Sequence, residues 1–459
     1  MINLSNWCPP SVNTARKPHL LFLSYYFPPM GGGGVQRILK FLKFWDYDQF
    51  EVSVLTVKSS FFYAEDRSLE QDLPPPPVVH RSGSLDPFRL LFILQKIFKS
   101  PGKVKSEVSQ ESGGLVRKLA NYIFLPDSRI LWLPFAVLKI WKISKRKPVD
   151  LLIATMPPFS TGLVARTAGK FFGIPYLLDF RDAWTGNPYL PELIRLHQKA
   201  QNVLEEKTVS QSAGCVFVNS ALRDYYAAKI AALKNIPSTV IRNGYDPDDF
   251  RMVTPEAASG TEKFFRIGIM GTVYSQGNAP LPLLNAIKVL HQEEPELVGK
   301  LQLVFIGKWS GKFLKMIKGH PHSQQISLVN YLPHQQALAY AKNLDALALA
   351  VQGDIEGSEQ VTPGRIYEYL FLRKPILAMC SPEGDLAKLI RECQAGEAVD
   401  YVNKREVVNI LKKWLRDPAA VKADYTFQNI DRFHRRQLTE EMMKFIRRFL
   451  PSEIRKIEN

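Results

Sequence analysis

The stretch that decides the fold is EQVTPGRIYEYLFLRKPILAM, residues 359–379. Thr362 is followed by Pro363, and a threonine N-cap with proline at the first helical position predicts a helix beginning there. Apolar residues then recur at the spacing of a core-facing helix face. Residues 375–379, PILAM, form a short apolar run typical of a central parallel strand, where proline is tolerated at the first position. The stretch therefore predicts a helix followed by a buried strand.

Two charged residues of this helix are candidates for a binding site. Arg365 and Glu368 are three residues apart, so their side chains project to neighbouring positions on one side. The amino end of a helix carries unpaired N–H groups and the positive end of the helix dipole, which favours phosphate. Spacing alone leaves two interpretations open, an ordinary surface ion pair or a phosphate-binding site.

Length and charge limit the possible classes of protein. The chain has 459 residues, more than one hydrophobic core usually serves, which predicts two domains. Apolar content of 46% and charged content of 23% are typical of a soluble globular protein. A net charge of +16 indicates an anionic partner: nucleic acid, an anionic membrane surface or small anionic molecules. The basic residues are spread rather than clustered on an aromatic platform, which disfavours nucleic acid.

Cysteine spacing and hydropathy bear on the cellular location. The four cysteines are far apart and form no C-x-x-C pair, which favours buried thiols in a reducing cytosol. Residues 1–20 lack the apolar centre of a signal peptide, and no uncharged apolar run has the length of a membrane-spanning helix. The sequence therefore predicts a cytoplasmic protein whose membrane contact is peripheral, at the inner face.

The first predicted strand leads into a glycine-rich loop. Residues 19–24, HLLFLS, form a buried apolar run, and a helical pattern continues to Phe44. The loop between them contains four consecutive glycines, Gly31, Gly32, Gly33 and Gly34. Such a loop brings backbone close to a ligand at the carboxyl end of a parallel sheet, although the G-x-G-x-x-G dinucleotide fingerprint is absent. The alternative is a flexible linker.

A second group of charged residues follows a strand predicted at residues 174–178. Asp179, Arg181 and Asp182 come at its carboxyl end, where the functional residues of a doubly wound sheet lie. Arg181 could instead pair with an aspartate and brace the loop. Residues 88–98 and 130–143 mix aromatic, aliphatic and basic residues, which fits either core helices with solvent-reaching lysines or helices on an anionic bilayer.

The second half repeats the β/α pattern. After a linker predicted at 253–263, residues 265–270 form a strand that ends at Gly271 and Thr272. A basic amphipathic helix is predicted at 425–450. The acidic cluster at 246–249 follows a turn, contains proline and has no histidine nearby, so capping explains it better than a metal site.

Several of these patterns resemble the large retaining family 4 of glycosyltransferases. TPGRIYEYLFLRKPILA is similar to the C-terminal signature P-x-K/R-x-x-E-Y followed by G-K-P-I. The loop PPMGGG at 28–33 is similar to the P-P-x-x-G-G loop that follows the first strand in this family. GIPYLLDFRDAW at 173–184 resembles the subgroup that builds bacterial surface polysaccharides. The resemblance implies the α/β GT-B fold: two Rossmann-like, doubly wound parallel-sheet domains facing across a cleft, with the last helix crossing back to the first domain.

The resemblance also implies roles for individual residues. Glu368 would hold the ribose of a nucleotide-sugar. The remaining donor-binding candidates, which would face the diphosphate, are Arg365, Gly271, Thr272, Thr362 and Gly364. The position eight residues before Glu368, a second glutamate in many members, is Gln360 here, with Glu356 and Glu359 nearby. On the acceptor side the loop Gly31–Gly34 would line the site, with Arg181 and Asp182 as catalytic candidates and Asp182 as a base or sugar contact.

The domains expected on this basis are a disordered lead-in at 1–17, an acceptor-side domain at 18–250, a donor-binding domain at 251–424 and a returning helix at 425–459. The implied reaction transfers a sugar from a nucleotide-diphosphate sugar to a lipid-linked saccharide or polysaccharide at an anionic membrane surface, with retention, in cell-surface polysaccharide biosynthesis. We expect no cofactor, no metal and no nucleic-acid partner. The alternative is a non-catalytic basic scaffold of the same fold, which docks on a membrane or on another polysaccharide enzyme.

Overall fold

The structure is a computed structural model that describes residues 16–58, 66–73, 77–85, 124–189, 194–251, 264–273 and 278–450. The predicted helix at 88–98, the linker at 253–263 and nearly all of the lead-in at 1–17 lie outside the described residues. The described chain divides into two compact units, each built on one sheet.

The first unit contains a seven-stranded, all-parallel sheet in the order β3-β2-β1-β4-β5-β6-β7. Its strands are β1 (His19–Leu23), β2 (Glu51–Val57), β3 (Val78–Ser82), β4 (Leu151–Met156), β5 (Tyr176–Phe180), β6 (Gly214–Phe217) and β7 (Ser238–Val240). Within the described ranges, the α-helices between β1 and β7 are α1 (Gly33–Lys43), α2 (Leu133–Arg146), α3 (Ser160–Phe172), α4 (Arg195–Ser210) and α5 (Ser220–Lys229). The central strands are buried along their whole length because helices cover both faces.

The second unit contains a six-stranded, all-parallel sheet in the order β10-β9-β8-β11-β12-β13. Its strands are β8 (Phe265–Val273), β9 (Leu301–Trp309), β10 (Ile326–Val329), β11 (Ala346–Ala350), β12 (Ile376–Cys380) and β13 (Gly396–Asp400). Its helices are α6 (Leu281–Glu293), α7 (Pro295–Val298), α8 (Gly311–Lys318), α9 (His334–Lys342), α10 (Arg365–Leu372), α11 (Asp385–Cys393), α12 (Lys404–Arg416) and α13 (Pro418–Ala423). Separate apolar clusters pack on its two faces.

The last helix, α14 (Arg435–Ile446), starts ten residues later than predicted from 425. Phe427 and Asn429 have positive φ angles of 51° and 56°, which no continuous α-helix accommodates. Phe427, Ile430 and Phe433 are buried in the core of the second unit. The chain before α14 is therefore held in an irregular path by its own buried side chains.

The division of the chain also differs from the domain boundaries expected from the sequence. The second unit begins at Asn243 rather than 251, because Tyr245 and Phe250 both pack on Phe371 with ring centroids 4.5 Å apart. Residues from Arg436 onward belong to the first unit, where Leu438, Met442 and Ile446 join the strand side chains of its core. Gly186–Tyr189 belong to the second unit. In the described ranges, no helix combines the length and apolar character that crossing a bilayer requires.

Candidate functional site

The strand order of the second unit reverses between β8 and β11, which creates a crevice at their carboxyl ends. β11 pairs with β8 only at Ala346↔Ile267 and Leu347↔Gly268, whereas β8 pairs with β9 along its whole length. Beyond Gly268 the two strands diverge. Ligands of open parallel sheets bind at such reversal points. A cavity opens there, lined by Ile269, Val273, Asn278, Ala348, Leu349, Ala350 and Arg365.

Arg365 and Gly271, two of the predicted donor-binding residues, meet at this crevice. Arg365 is the first residue of α10, and a β-carbon built on Gly271 would lie 2.7 Å from its Nη1. Gly271 has φ +100°, in the region that favours glycine. Within the described part of the chain, the Arg365 guanidinium makes no hydrogen bond or ion pair. A guanidinium cation thus lies at the reversal point of the sheet, beside the Gly271 backbone, which no side chain covers.

Gly271 and Thr272 lie inside β8, which extends past the strand predicted at residues 265–270. β8 continues to Val273 because Gly271 and Thr272 pair with Gly307 and Lys308 of β9. Gly307 has φ +143°, and a β-carbon on it would lie 2.2 Å from the Gly271 carbonyl oxygen. Asn278 donates its side-chain N–H to the Thr272 carbonyl at 2.7 Å. The two glycines therefore bring the strands together at the crevice.

The start of α10 differs from the prediction at Thr362. The helix begins at Arg365, and Gly364 occupies the N-cap position without a side-chain cap. Thr362 instead donates its hydroxyl to Asp385 Oδ2 at 2.7 Å, at the first residue of α11. Thr362 therefore links the segment before α10 to the start of α11 through one hydrogen bond. Because Gly364 has no side chain, the amino end of α10 is uncovered at that position.

Glu368 is bonded to a histidine that the sequence analysis did not select. Its Oε1 accepts a hydrogen bond from His334 Nε2 at 2.7 Å. His334 is the first residue of α9, after Pro333. No spacing pattern connects residues 34 positions apart in sequence. The only local signal was a histidine directly after a proline at a helix start.

Tyr369 connects α10 to β8 below the crevice. The backbone N–H of Met270 donates to its hydroxyl at 3.0 Å, in the position where a β11 partner is missing. Burial raises the pKa of Tyr369 to about 12, against the opposing effect of nearby Arg365. Tyr369 is fully buried, and its hydroxyl provides the hydrogen-bond acceptor that the Met270 N–H needs where the strands diverge.

In the first unit, Arg181 follows β5, and its guanidinium reaches the corresponding reversal point, between β1 and β4. Its Nε donates to the Met156 carbonyl at 3.1 Å, and its two terminal nitrogens donate to the carbonyls of Gly34 and Pro157. Burial lowers the pKa of Arg181, while Asp182 and Asp179 oppose that effect. The guanidinium therefore braces two backbone segments, the end of β4 and the glycine loop, as in the loop-bracing alternative, but through carbonyls instead of an aspartate.

Asp182 differs from its neighbours because it makes no hydrogen bond within the described residues. Burial raises the pKa of its carboxyl group, and the Arg181 charge acts in the opposite direction. The side chain is partly exposed, at the carboxyl end of β5. A carboxylate with raised pKa and unused acceptors is suited to proton transfer or to a sugar hydroxyl.

Asp179, the other carboxylate of this segment, belongs to a buried ion pair. Arg37 Nη2 donates to Asp179 Oδ1 at 2.8 Å, and its Nε lies 3.0–3.1 Å from both carboxylate oxygens. Thr155 donates to Oδ2 at 3.0 Å. The two charged side chains are 1% and 3% exposed. The sequence did not identify Arg37, although an arginine on an otherwise apolar face of α1 was an available signal.

The glycine loop ends at the amino terminus of α1. Gly32 is the N-cap with φ +107°, and β-carbons on Gly32 or Gly33 would meet nothing within 4 Å. Gly34 packs against Arg181, whose Nη1 would lie 3.1 Å from a β-carbon there. Gly31 is partly buried just before them. The backbone at the start of α1, which no side chain covers at Gly32 and Gly33, is therefore adjacent to the Arg181 guanidinium.

A second buried network fixes the segment that follows Asp182. Glu205 of α4 is fully buried and accepts hydrogen bonds from the Tyr226 hydroxyl at 2.6 Å and from the Thr185 backbone at 3.2 Å. Tyr226 Oη also accepts the Trp184 backbone N–H at 3.0 Å. No sequence pattern indicated these contacts, because Glu205 and Tyr226 lie on two different helices.

The acidic cluster behaves as a cap. Asp246 accepts a hydrogen bond from the Asp248 N–H at 3.1 Å and begins the short 3-10 turn Pro247–Phe250. Across the part of the chain that the structure describes, no group of three or more histidine, cysteine, aspartate or glutamate side chains could hold a metal ion.

Comparisons with known proteins give matches in structure. No protein-family model matches the chain, and no curated protein matches it either. HepE from Anabaena, solved in complex with UDP and glucose, is 15% identical, with a TM-score of 0.61 over 94% of this chain and 99% of its own. Sucrose-phosphate synthase from Thermosynechococcus elongatus is 13% identical, with a TM-score of 0.65 over 94% and 99%. The lipopolysaccharide outer core galactosyltransferase WaaB, in apo form, is 14% identical, with a TM-score of 0.56 over 93% and 99%.

At these sequence identities, structural similarity indicates a shared fold. The similarity extends over nearly the whole length of this chain and of each matched chain. The two all-parallel sheets, of seven and six strands, have the doubly wound order of Rossmann-like units. The fold class predicted from the sequence is confirmed: this chain has the GT-B fold.

Proposed function

We propose that this chain is a glycosyltransferase that takes a sugar from a nucleotide-diphosphate donor. The observation that carries the proposal is the Arg365 guanidinium at the β8/β11 reversal point, next to the uncovered backbone of Gly271. A guanidinium beside uncovered backbone suits a diphosphate, because the cation offsets its negative charge and the missing side chain leaves room for the phosphate groups.

The reaction needs stabilisation of the departing nucleoside diphosphate. Arg365 and the amino end of α10 provide positive charge where the leaving group would develop its negative charge. The backbone N–H groups at the amino end of α10 are held by the folded helix, so they need little reorganisation during bond cleavage. Glu368 Oε2 would accept a ribose hydroxyl, because only Oε1 is bonded to His334. We expect no metal and no cofactor for this mechanism.

The structural neighbours support this donor class. HepE was solved with UDP and glucose and also with UDP-glucose, and WaaB is a galactosyltransferase of lipopolysaccharide. Together with the family 4 signature at residues 362–378, they favour a nucleotide-sugar donor, retention at the anomeric carbon and a lipid-linked saccharide or polysaccharide acceptor. Cell-surface polysaccharide biosynthesis is the process that we propose.

On the acceptor side, Asp182 is the candidate for the base or sugar contact. Its raised pKa and its unused acceptors support this role. Arg181 would act by positioning, since its guanidinium donates to three backbone carbonyls. The loop Gly31–Gly34 would allow an acceptor to approach the backbone.

A peripheral location at the cytoplasmic face of an anionic membrane completes the proposal. Helix α2 has no acidic residue, and its outward residues include Lys142, Lys145 and Arg146. Leu138, on the same helix, is 47% exposed. Exposed basic residues with an exposed apolar side chain are typical of helices that lie on anionic lipid.

A binding panel tests the donor proposal. Thermal unfolding is measured with UDP-, GDP- and CMP-linked ligands, since a ligand that binds only the folded state raises the midpoint. We expect one nucleoside diphosphate class to raise the unfolding temperature by several degrees at 100 times its dissociation constant. Absence of a shift with every nucleotide would favour the non-catalytic scaffold instead. Flotation with anionic and neutral liposomes tests the membrane proposal separately.

A further inference from the structure

Arg365 and Glu368, two oppositely charged residues that are close in sequence, do not pair with each other in the structure. Arg365 and Glu368 are three residues apart on α10, the spacing at which helices form ion pairs. In the described ranges, however, no ion pair or hydrogen bond joins them. Glu368 Oε1 accepts from His334 Nε2 at 2.7 Å, while the Arg365 guanidinium lies against Gly271.

His334 is well suited to hold the carboxylate in this position. An ionised carboxylate can only accept, so the proton of this bond is on His334 Nε2. The two side chains are only 23% and 21% exposed, which strengthens the interaction relative to a surface pair. Because His334 begins α9 and Glu368 lies in the first turn of α10, the bond also fixes the two helix starts to each other.

We propose that His334 is a positioning residue that holds Glu368 away from Arg365 and leaves the guanidinium available for an anionic ligand. The identity of that ligand, the diphosphate of a nucleotide, rests on the proposed function. Without His334, the Glu368 side chain is free to swing to Arg365 at the i, i+3 distance. The incoming diphosphate then has to displace a carboxylate before it binds.

The same bond orients the other carboxylate oxygen. With Oε1 held by His334, Glu368 has one oxygen left for a ribose hydroxyl and does not have to lose rotamer freedom when the nucleotide binds. His334 therefore acts on diphosphate and ribose binding through one contact, without touching either group itself.

Calorimetric titration with inorganic pyrophosphate and with UDP tests the inference on four proteins. These are the wild type, His334→Leu, Glu368→Gln and the double variant. We expect His334→Leu to weaken pyrophosphate binding about fivefold, the effect of one competing ion pair. In the Glu368→Gln background the same change has no effect, because no carboxylate is left to compete. His334→Gln keeps an N–H donor at a similar reach and restores the wild-type affinity.

The outcomes distinguish this inference from the proposed function. Unchanged pyrophosphate affinity in His334→Leu overturns the inference alone, provided that the wild type binds UDP. An equal loss with and without the Glu368 carboxylate also overturns it, since His334 would then act by another route. A wild-type protein that binds neither pyrophosphate nor UDP overturns both. Unfolding midpoints of all variants verify that each is folded. If His334→Leu alone is unstable, the comparison of Glu368→Gln with the double variant still shows whether His334 acts without the carboxylate.

Discussion

The Arg365 guanidinium lies directly against the α-carbon of Gly271, so that a β-carbon there would be 2.7 Å from Nη1 and 3.0 Å from Cζ. This contact joins the start of α10 to the end of β8, across the point where the strand order reverses. It depends on glycine twice, for its positive φ of +100° and for its missing side chain.

The first prediction follows from this contact. Gly271→Ala displaces Arg365, and we expect it to weaken binding of the nucleoside diphosphate at least tenfold. Gly173→Ala is the matched control, because Gly173 also has positive φ, +68°, but has nothing within 4 Å of its β-carbon position. Both variants lose about 1 kcal/mol of unfolding free energy from backbone strain. Calorimetry should show weaker binding only in Gly271→Ala; equal affinity in the two would contradict the contact's role.

The second prediction concerns the pH dependence of stability at Asp182. Because burial raises the pKa of this carboxyl group, its stabilising contribution is complete below the ordinary aspartate pKa and is lost as pH rises through the raised value. We therefore expect Asp182→Asn to raise the unfolding free energy at pH 7. The gain should shrink as pH falls toward the ordinary aspartate pKa. Denaturant unfolding from pH 7 to 5 measures this, and a loss of stability at pH 7 would mean that the charge pairing with Arg181 dominates.

The third prediction concerns Arg181. Because its guanidinium donates to the carbonyls of Met156, Gly34 and Pro157, Arg181→Lys keeps the charge but cannot reach all three acceptors. We expect a loss of about 2–3 kcal/mol in the unfolding free energy, measured by urea denaturation. Arg166→Lys is the control, since Arg166 makes one exposed hydrogen bond, to Gln211. A loss no larger than that of the control would contradict the bracing role.

The fourth prediction tests the buried pair of Arg37 and Asp179. Arg37→Met leaves the Asp179 carboxylate buried without its guanidinium, which costs about 3–5 kcal/mol. Arg37→Met with Asp179→Leu removes both charges, and we expect the double variant to be more stable than Arg37→Met alone. Chemical denaturation of the two singles and the double gives the coupling. Additive losses would show that the two residues act independently.

Sequence patterns predicted the order of elements well because burial and periodicity are local properties. The strand at 376–380, the helix before it and the first β/α unit with its glycine loop all follow from apolar spacing and turn residues. The patterns did not predict how far β8 extends. That depends on Gly307, a residue of the neighbouring strand, which allows close approach at Gly271.

Side-chain partners were the part that sequence could not supply. Arg37 and Asp179 are 142 residues apart, and His334 and Glu368 are 34 apart, so no periodicity relates them. Thr362 shows the same limit at short range. Its position before proline is typical of an N-cap, but a stronger acceptor, Asp385, lies near it only in the folded chain. The domain boundary likewise lies at Asn243, earlier than the sequence predicted, because the Tyr245 ring packs on Phe371.

The central claim is that a nucleoside diphosphate binds through Arg365 at the carboxyl end of the second sheet. Isothermal titration calorimetry of wild type and Arg365→Gln tests it most directly. The ligands are UDP, UMP and uridine, or the corresponding series of whichever nucleotide the thermal-unfolding panel identifies. Arg405→Gln, a surface arginine paired with Glu293 on the same unit, is the control. We expect Arg365→Gln to weaken binding of the nucleoside diphosphate by about tenfold or more and binding of the nucleoside by less than twofold, while Arg405→Gln binds both like wild type. Equal affinity of Arg365→Gln and wild type for the diphosphate would contradict it.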